Sequence, residues 1–221
     1  MSRTPATPEP LEGAEARRPI LYAVADPAPL GLAAFAMTTF ALSIANTNIW
    51  PGGADAALAL ALVYGGFAQL LAGMWEFARK NTFGALAFTS FGSFWITYYV
   101  LVKFVLPGVP AATAPTTVPV LLGVFVLGWL IFTAYMTIAS LRVSGAVVVV
   151  FVLLTVTFLF LTIGQFKGQG ITPVPGTFIK IGGWTGLATA AAAWYASFAG
   201  VTNETFKKTV LPVFPLGPRV P

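Results

Sequence analysis

The sequence predicts an all-α integral membrane protein of six transmembrane helices, and three observations lead there. Hydrophobic residues fill 57% of its 221 positions and charged residues only 9%, against about a quarter in soluble domains. Six apolar stretches are each long enough to cross a hydrocarbon core about 30 Å thick, which takes roughly 20 helical residues. Almost no charge falls inside those stretches.

The first span, residues 29–49, follows Asp26-Pro27-Ala28-Pro29-Leu30-Gly31-Leu32. Pro29 suits a first helical turn, where its missing N–H is no loss and its φ is already helical. Asp26 and Ala28 each precede a proline and are expected to be extended; Asp26 is also a good N-cap. Gly31 leaves a bare backbone early in the helix, where another helix or a solute can come close. Further along, Phe35, Thr39, Ser43 and Asn46 recur at steps of four, four and three and so share one face.

Pro51-Gly52-Gly53 turns the chain into the second span, residues 56–77, in which Gln69, Gly73 and Glu76 share a face. The third, residues 83–105, continues a hydroxyl stripe of Thr82, Thr89, Ser93 and Thr97 over about four turns. Residues 108–117 read as a loop before the fourth span, 118–140. The fifth, 145–166, precedes the longest loop, 167–180. The sixth, 181–201, is rich in small residues (Gly182, Gly183, Gly186, then alanines from Ala188 to Ala196). Close helix packing is expected there, within a subunit or between subunits.

The domain plan is therefore a tail (1–25), a six-helix membrane domain (26–206) and a C-terminal tail (207–221). The first 20 residues lack the apolar core of a signal peptide and read as disordered and soluble. The last ten, with four prolines, read as a mobile tail.

Lys and Arg set the expected orientation. One side of the membrane receives Arg3, Arg17, Arg18, Arg79, Lys80, Arg142, Lys207, Lys208 and Arg219; the other receives Lys103, Lys167 and Lys180. Both termini are expected in the cytoplasm, in the plasma membrane. Trp50, Trp75 and Trp184 fall near span ends, where amphipathic rings favour the interface. Glu76 and Lys103 lie close enough to span ends to read as interfacial anchors.

The chain has no cysteine and no histidine, which removes thiolate metal sites and the commonest proton shuttle. No nucleophile–base pair, metal-ligand cluster or phosphate-binding loop stands out, so neither an enzyme nor a bound cofactor is expected. The net charge of +5 is scattered over loops without interleaved aromatics, unlike a nucleic-acid surface. Hydroxyls at helical spacing have a structural explanation, since Ser and Thr bond back to the preceding turn. Two such stripes facing a common axis would instead line a narrow polar path, with uncharged donors suited to a small anion.

The opening segment resembles the Asn-Pro-Ala-Pro-Leu-Gly-Leu signature of the acetate uptake transporter family, the succinate–acetate permeases, with Asp26 in place of Asn. Phe35-Ala36-Met37-Thr38-Thr39, Tyr64-Gly65-Gly66 with Gln69, and Asn81-Thr82-Phe83-Gly84 are similar to later family motifs. So are Ala87-Phe88-Thr89-Ser90-Phe91-Gly92-Ser93-Phe94-Trp95 and Thr209-Val210-Leu211-Pro212. The resemblance implies a six-helix subunit with its own pathway, assembled as a homo-hexamer in the lipid bilayer. It implies a constriction of Phe35, Phe91 and Leu154, the last placed by Leu154-Thr155-Val156 counted back from Gly164. Phe91 stands where Tyr is frequent, which makes the ring more apolar.

By this resemblance the expected function is a permease or channel for acetate and similarly small monocarboxylates, with succinate a further candidate. Transport would run by anion conduction or by proton-coupled uptake. The expected pathway residues are Asp26, Thr39, Tyr64, Gln69, Asn81, Thr82, Thr89, Ser90 and Ser93. A channel for small neutral solutes such as ammonia or urea is the alternative, and a membrane scaffold or sensor is a reading of another class. Asp26 at the pathway mouth would repel an incoming anion unless paired, protonated or turned away.

Overall fold

The computed structural model describes residues 24–217; the expected soluble tail at residues 1–20 lies outside the described residues. Within them the chain forms six long helices: α1 Ala28–Asn46, α2 Gly53–Ala78, α3 Thr82–Gly108, α4 Ala114–Ser140, α5 Gly145–Phe166 and α6 Thr177–Phe206. Five are both long and apolar enough to cross a membrane. The sixth is 30 residues long, and its glycines, alanines and threonines hold its hydropathy below that of the others. No strand forms among the described residues, only an isolated antiparallel bridge between Ser144 and Pro215.

Several boundaries differ from the expectation. Ala28 is helical rather than extended, because the first turn closes through the Gly31 N–H donating to the Pro27 carbonyl at 3.1 Å. The preference against helix before proline is outweighed where that proline sits in a first turn. Asp26 is not the N-cap; Pro27 occupies that position. Helix α4 starts at Ala114, inside the expected loop, with Pro115 in its first turn and Pro119 buried within it. Helix α6 extends past residues 181–201 at both ends. Helix α2 widens to a π-helix over Val63–Ala68, around Tyr64-Gly65-Gly66.

Helix α1 lies at the centre, against α2 on one side and α6 on the other. Small residues set the second contact. A β-carbon at Gly183 would stand 2.7 Å from the Thr47 nitrogen, and one at Gly186 would stand 3.1 Å from the Ser43 β-carbon. The glycines of the α6 stripe therefore pack within the chain, while Ala188 and Ala191 of the same stripe are exposed. The Ser197 hydroxyl adds a 2.6 Å bond to the Pro29 carbonyl.

Helices α3, α4 and α5 supply the aromatic core. Phe91 meets Phe35 at 5.6 Å between ring centroids, Phe132 at 5.3 Å and Trp129 at 5.9 Å. Phe94 stacks on Phe125 at 5.5 Å and meets Phe158 edge-on at 5.7 Å. Rings at such separations interact beyond simple burial.

Of the C-terminal tail expected to be mobile, residues 218–221 lie outside the described residues, and residues 210–217 are tied down. The Asn203 amide oxygen accepts from the Val210 and Leu211 nitrogens, and the Tyr195 hydroxyl donates to the Pro212 carbonyl at 2.7 Å. The Phe214 and Val213 carbonyls accept from Gly145 and Ala146. Those two N–H groups open α5 and lack intrahelical partners, and the segment that meets them is non-helical, with Phe214 at a left-handed φ of 54°.

Candidate functional site

Three cavities follow one another along a single face of α1. The first, about 80 Å³, is lined at the α1 N-terminal end by Ala28, Leu32 and Phe35, with Gln69, Glu76, Asn81, Phe91 and Leu154 around it. The second, about 30 Å³, runs past Phe35, Thr39, Ser43 and Asn46, and is closed by Trp95, Leu154 and Thr157 among others. The third, about 290 Å³, holds Asn46, Asn48, Tyr98, Gln165 and Thr172 at the opposite end. Phe35 and Leu154 line both of the first two cavities and so stand between them. The steps Ala28, Leu32, Phe35, Thr39, Leu42 and Asn46 are three and four residues apart, the spacing of one helical face.

Phe35, Phe91 and Leu154 are thus brought together, each at most 4% exposed. The two rings touch, and Phe91 is braced from behind by Trp129 and Phe132 of α4. The division is apolar on every side.

The expected polar residues separate into two groups. Thr39, Gln69 and Asn81 line the path. Tyr64, Thr82, Thr89, Ser90 and Ser93 do not line any of the three cavities. Tyr64 lies in the π-helical stretch, and Thr82 is exposed at the first turn of α3. Thr89 packs on α2, where a β-carbon at Gly73 would stand 2.9 Å from the Thr89 Cα. Ser93 donates to the Thr89 carbonyl at 2.9 Å. Thr89 and Ser93 are therefore engaged with α2 and with their own helix, and the face that α3 turns to the first cavity is Phe83, Gly84, Ala87, Phe88 and Phe91. Gly31 also meets a helix rather than a solute, since a β-carbon there would stand 2.6 Å from the Phe88 ring.

Asp26 is paired. Its Oδ1 takes the Arg79 guanidinium at 2.7 Å and the Ala28 N–H at 3.1 Å. The carboxylate thus supports the helix start from one residue outside the cap; it lines none of the three cavities, and its charge is answered by Arg79.

Glu76 was read as an interfacial anchor, and the structure overturns that. It is 1% exposed and lines the first cavity. Asn81 explains the position: its Oδ1 caps α3 by accepting from the Gly84 nitrogen at 3.1 Å, while its Nδ2 donates to Glu76 Oε2 at 2.9 Å. The turn folds back so tightly that α3 covers the end of α2, leaving the side chain no route to the interface. Lys103 is exposed, as an anchor would be.

Two further residues escaped the sequence reading. Trp95 lines the second cavity with a buried Nε1–H that has no partner. Thr157 of α5 lines it too and joins Thr185 at 3.0 Å and Thr189 at 3.3 Å on α6. The pair Thr185 and Thr189, one turn apart in an alanine-rich helix, was the available signal.

The sequence model described as the GPR1/FUN34/yaaH family matches residues 12–218. The chain belongs to this family. Among its relatives, acetate permease A of Emericella nidulans is 41% identical over 213 residues, spanning 88% of this chain and 68% of that one. The succinate-acetate/proton symporter SatP of Escherichia coli K12 is 38% identical, over 86% of this chain and 95% of its own. The solved structure of the bacterial acetate channel SatP superposes with a TM-score of 0.76 at 38% identity, covering 86% of this chain and 99% of the other. The six-helix membrane fold is thus that of a GPR1/FUN34/yaaH family protein, and these family members carry transporter or channel names rather than enzyme names.

Proposed function

We propose that this chain is a plasma-membrane permease for acetate and similarly small monocarboxylates, with succinate as a second substrate to be tried. The observation that carries the reading is the set of cavities in series along α1, interrupted by Phe35, Phe91 and Leu154. A first cavity of about 80 Å³ accommodates a solute of a few non-hydrogen atoms, since a water needs roughly 10–15 Å³ on this measure. The relatives named for acetate support the choice of solute.

Physical chemistry sets the problem such a path must solve. A carboxylic acid titrates near the value of Glu, about 4.3, so at neutral pH nearly all of it is anionic. A bare carboxylate in an apolar ring without partners is prohibitive. Thr39, Gln69, Asn81 and Trp95 flank the ring, and the N-terminal end of α1 adds partial positive charge beside the first cavity. Six copies assembled around a common axis, each with its own path, and both termini in the cytoplasm complete the proposal.

Uptake of labelled acetate into proteoliposomes tests it. Unlabelled small acids should compete and urea should not. Urea competition without acid competition would favour the neutral-solute channel, which the apolar lining of the ring also suits. No uptake above protein-free liposomes would remove the permease reading. A cytoplasm-only reporter at the C-terminus should be active, and native mass spectrometry should give six copies.

A further inference from the structure

Glu76 and Gln69 are each 1% exposed and line the same cavity. Glu76 Oε2 accepts from Asn81, whereas Oε1 has no partner, and neither has the amide oxygen of Gln69. Oε1 lies over the bare Cα of Gly84, where a β-carbon would stand 2.9 Å away. Gly84 lines the cavity as well. The rest of the wall is apolar: α1 brings Ala28 and Leu32, α3 brings Phe83 and Ala87, and α5 brings Val147 and Val150. The charged groups acting on Glu76 are Asp26 and Arg79, which are paired with each other.

Two buried acceptors therefore face an apolar cavity without a donor. A buried acceptor left unpaired costs about 1–3 kcal/mol, and a charged one more. A carboxylate anion entering here brings no donor and adds a second negative charge. Two carboxylates sharing a site do not both stay ionised. A carboxylic acid brings the missing O–H.

We infer that Glu76 is the proton-sharing acceptor for the carboxyl group of the permeant acid, so that the cavity takes up one carboxylate together with one proton. The inference rests on the permease reading and deepens it. The proton comes from the aqueous side with the anion and is held between Glu76 Oε1 and the acid. It stays with the acid when the acid moves on past Phe35, Phe91 and Leu154 as a neutral molecule, and Glu76 is left as the carboxylate it was before. Net charge moved is zero.

The test uses the full chain in proteoliposomes and planar bilayers, with the flux of protein-free membranes subtracted. Labelled acetate uptake by the wild type should fall about tenfold per pH unit above the titration range of the acid, the slope of one proton per molecule, and should carry no net current. Glu76→Gln places an N–H donor where the acceptor was, so the bare anion becomes admissible: the pH slope should vanish and an acetate current should appear. Glu76→Asp keeps the carboxylate and should keep the slope. A wild-type acetate current matching its flux overturns the inference, whatever the variants do. So does a Glu76→Gln protein that elutes as the wild type does and retains the slope. An ammonium current abolished by Glu76→Gln would overturn it too, because ammonium also brings donors to these oxygens. If the wild type moves no labelled acid above background, the permease reading fails and takes the inference with it. If acid moves and only the slope is indifferent to Glu76, the permease reading stands alone.

Discussion

The cavities on either side of Phe35 and Leu154 present opposite hydrogen-bonding faces. On the side of the α1 N-terminus the unpartnered buried atoms are oxygens, Glu76 Oε1 and Gln69 Oε1. In the second cavity they are the Trp95 N–H and the Thr39 hydroxyl, a donor and a group that can donate, and the next unpartnered acceptor, Gln165 Oε1, lies farther on in the third. A carboxylic acid is itself two-faced, with an O–H that donates and a carbonyl oxygen that accepts. The difference between the cavities thus suits a solute that leaves acceptors behind and meets donors ahead. An apolar ring between them keeps the two environments from merging.

Removing the ring should have the largest effect. In Phe91→Ala the side chain that meets Phe35, Trp129 and Phe132 is lost, a truncation that costs about 3–5 kcal/mol in well-packed cores. The melting temperature in detergent should drop clearly. In protein that still folds, competition by longer monocarboxylates should rise about tenfold relative to acetate. Unchanged selectivity in folded Phe91→Ala would take Phe91 out of the division between the cavities.

The donor side can be tested alone. Trp95→Phe keeps an aromatic ring and deletes the N–H. A hydrogen bond to a neutral acid is worth about 0.5–1.5 kcal/mol, so acetate uptake should fall a few-fold, up to about tenfold. Because the N–H has no protein partner to strand, thermal stability should suffer far less than in Phe91→Ala. A loss of stability without a loss of uptake would make Trp95 a packing residue.

Thr39→Val is nearly isosteric and removes a buried hydroxyl that has no partner. Stability should hold or rise, while uptake falls a few-fold, in line with a neutral hydrogen bond of about 0.5–1.5 kcal/mol. Thr39→Ser should restore the rate. Ser93→Ala on α3 is the matched control: its hydroxyl bonds back to the Thr89 carbonyl, and uptake should not move. Equal losses in the two helices would erase the distinction between them.

That distinction also shows where sequence reasoning stopped. Both helices carry hydroxyls at steps of three and four, and periodicity identifies a common face without saying what the face meets. On α1 the stripe lies along the path because α6 covers the neighbouring face with glycine. On α3 the aromatic face took the interior; Ser93 bonds back to the Thr89 carbonyl, while the Thr89 hydroxyl is buried against Gly73 without a partner. The six spans were legible from length and apolarity, with α6 the least so. Phe35, Phe91 and Leu154 were reached by motif, since no local pattern places three distant residues together. Glu76 shows that closeness to a helix end is not closeness to water, because the tight turn at Asn81 folds α3 over it. The C-terminal prolines were read as unable to form structure when they were unable only to form helix.

The smallest expected effect is at Asp26. Asp26 and Arg79 form an ion pair whose side chains are 43% and 35% exposed, and exposed pairs are worth about 0–1 kcal/mol. Asp26→Asn keeps an oxygen for the Ala28 N–H, so the start of α1 should survive and the melting temperature should barely change. It also leaves the Arg79 guanidinium without its counter-charge beside the first cavity. That should draw in anions: acetate uptake should rise at low ionic strength by at most about fivefold, the factor carried by 1 kcal/mol. The gain should fade as salt screens it over a Debye length of about 8 Å at physiological strength. A decrease in uptake would instead give the carboxylate a direct part in handling the acid, and would extend the acceptor side of the path from Glu76 out to the membrane surface.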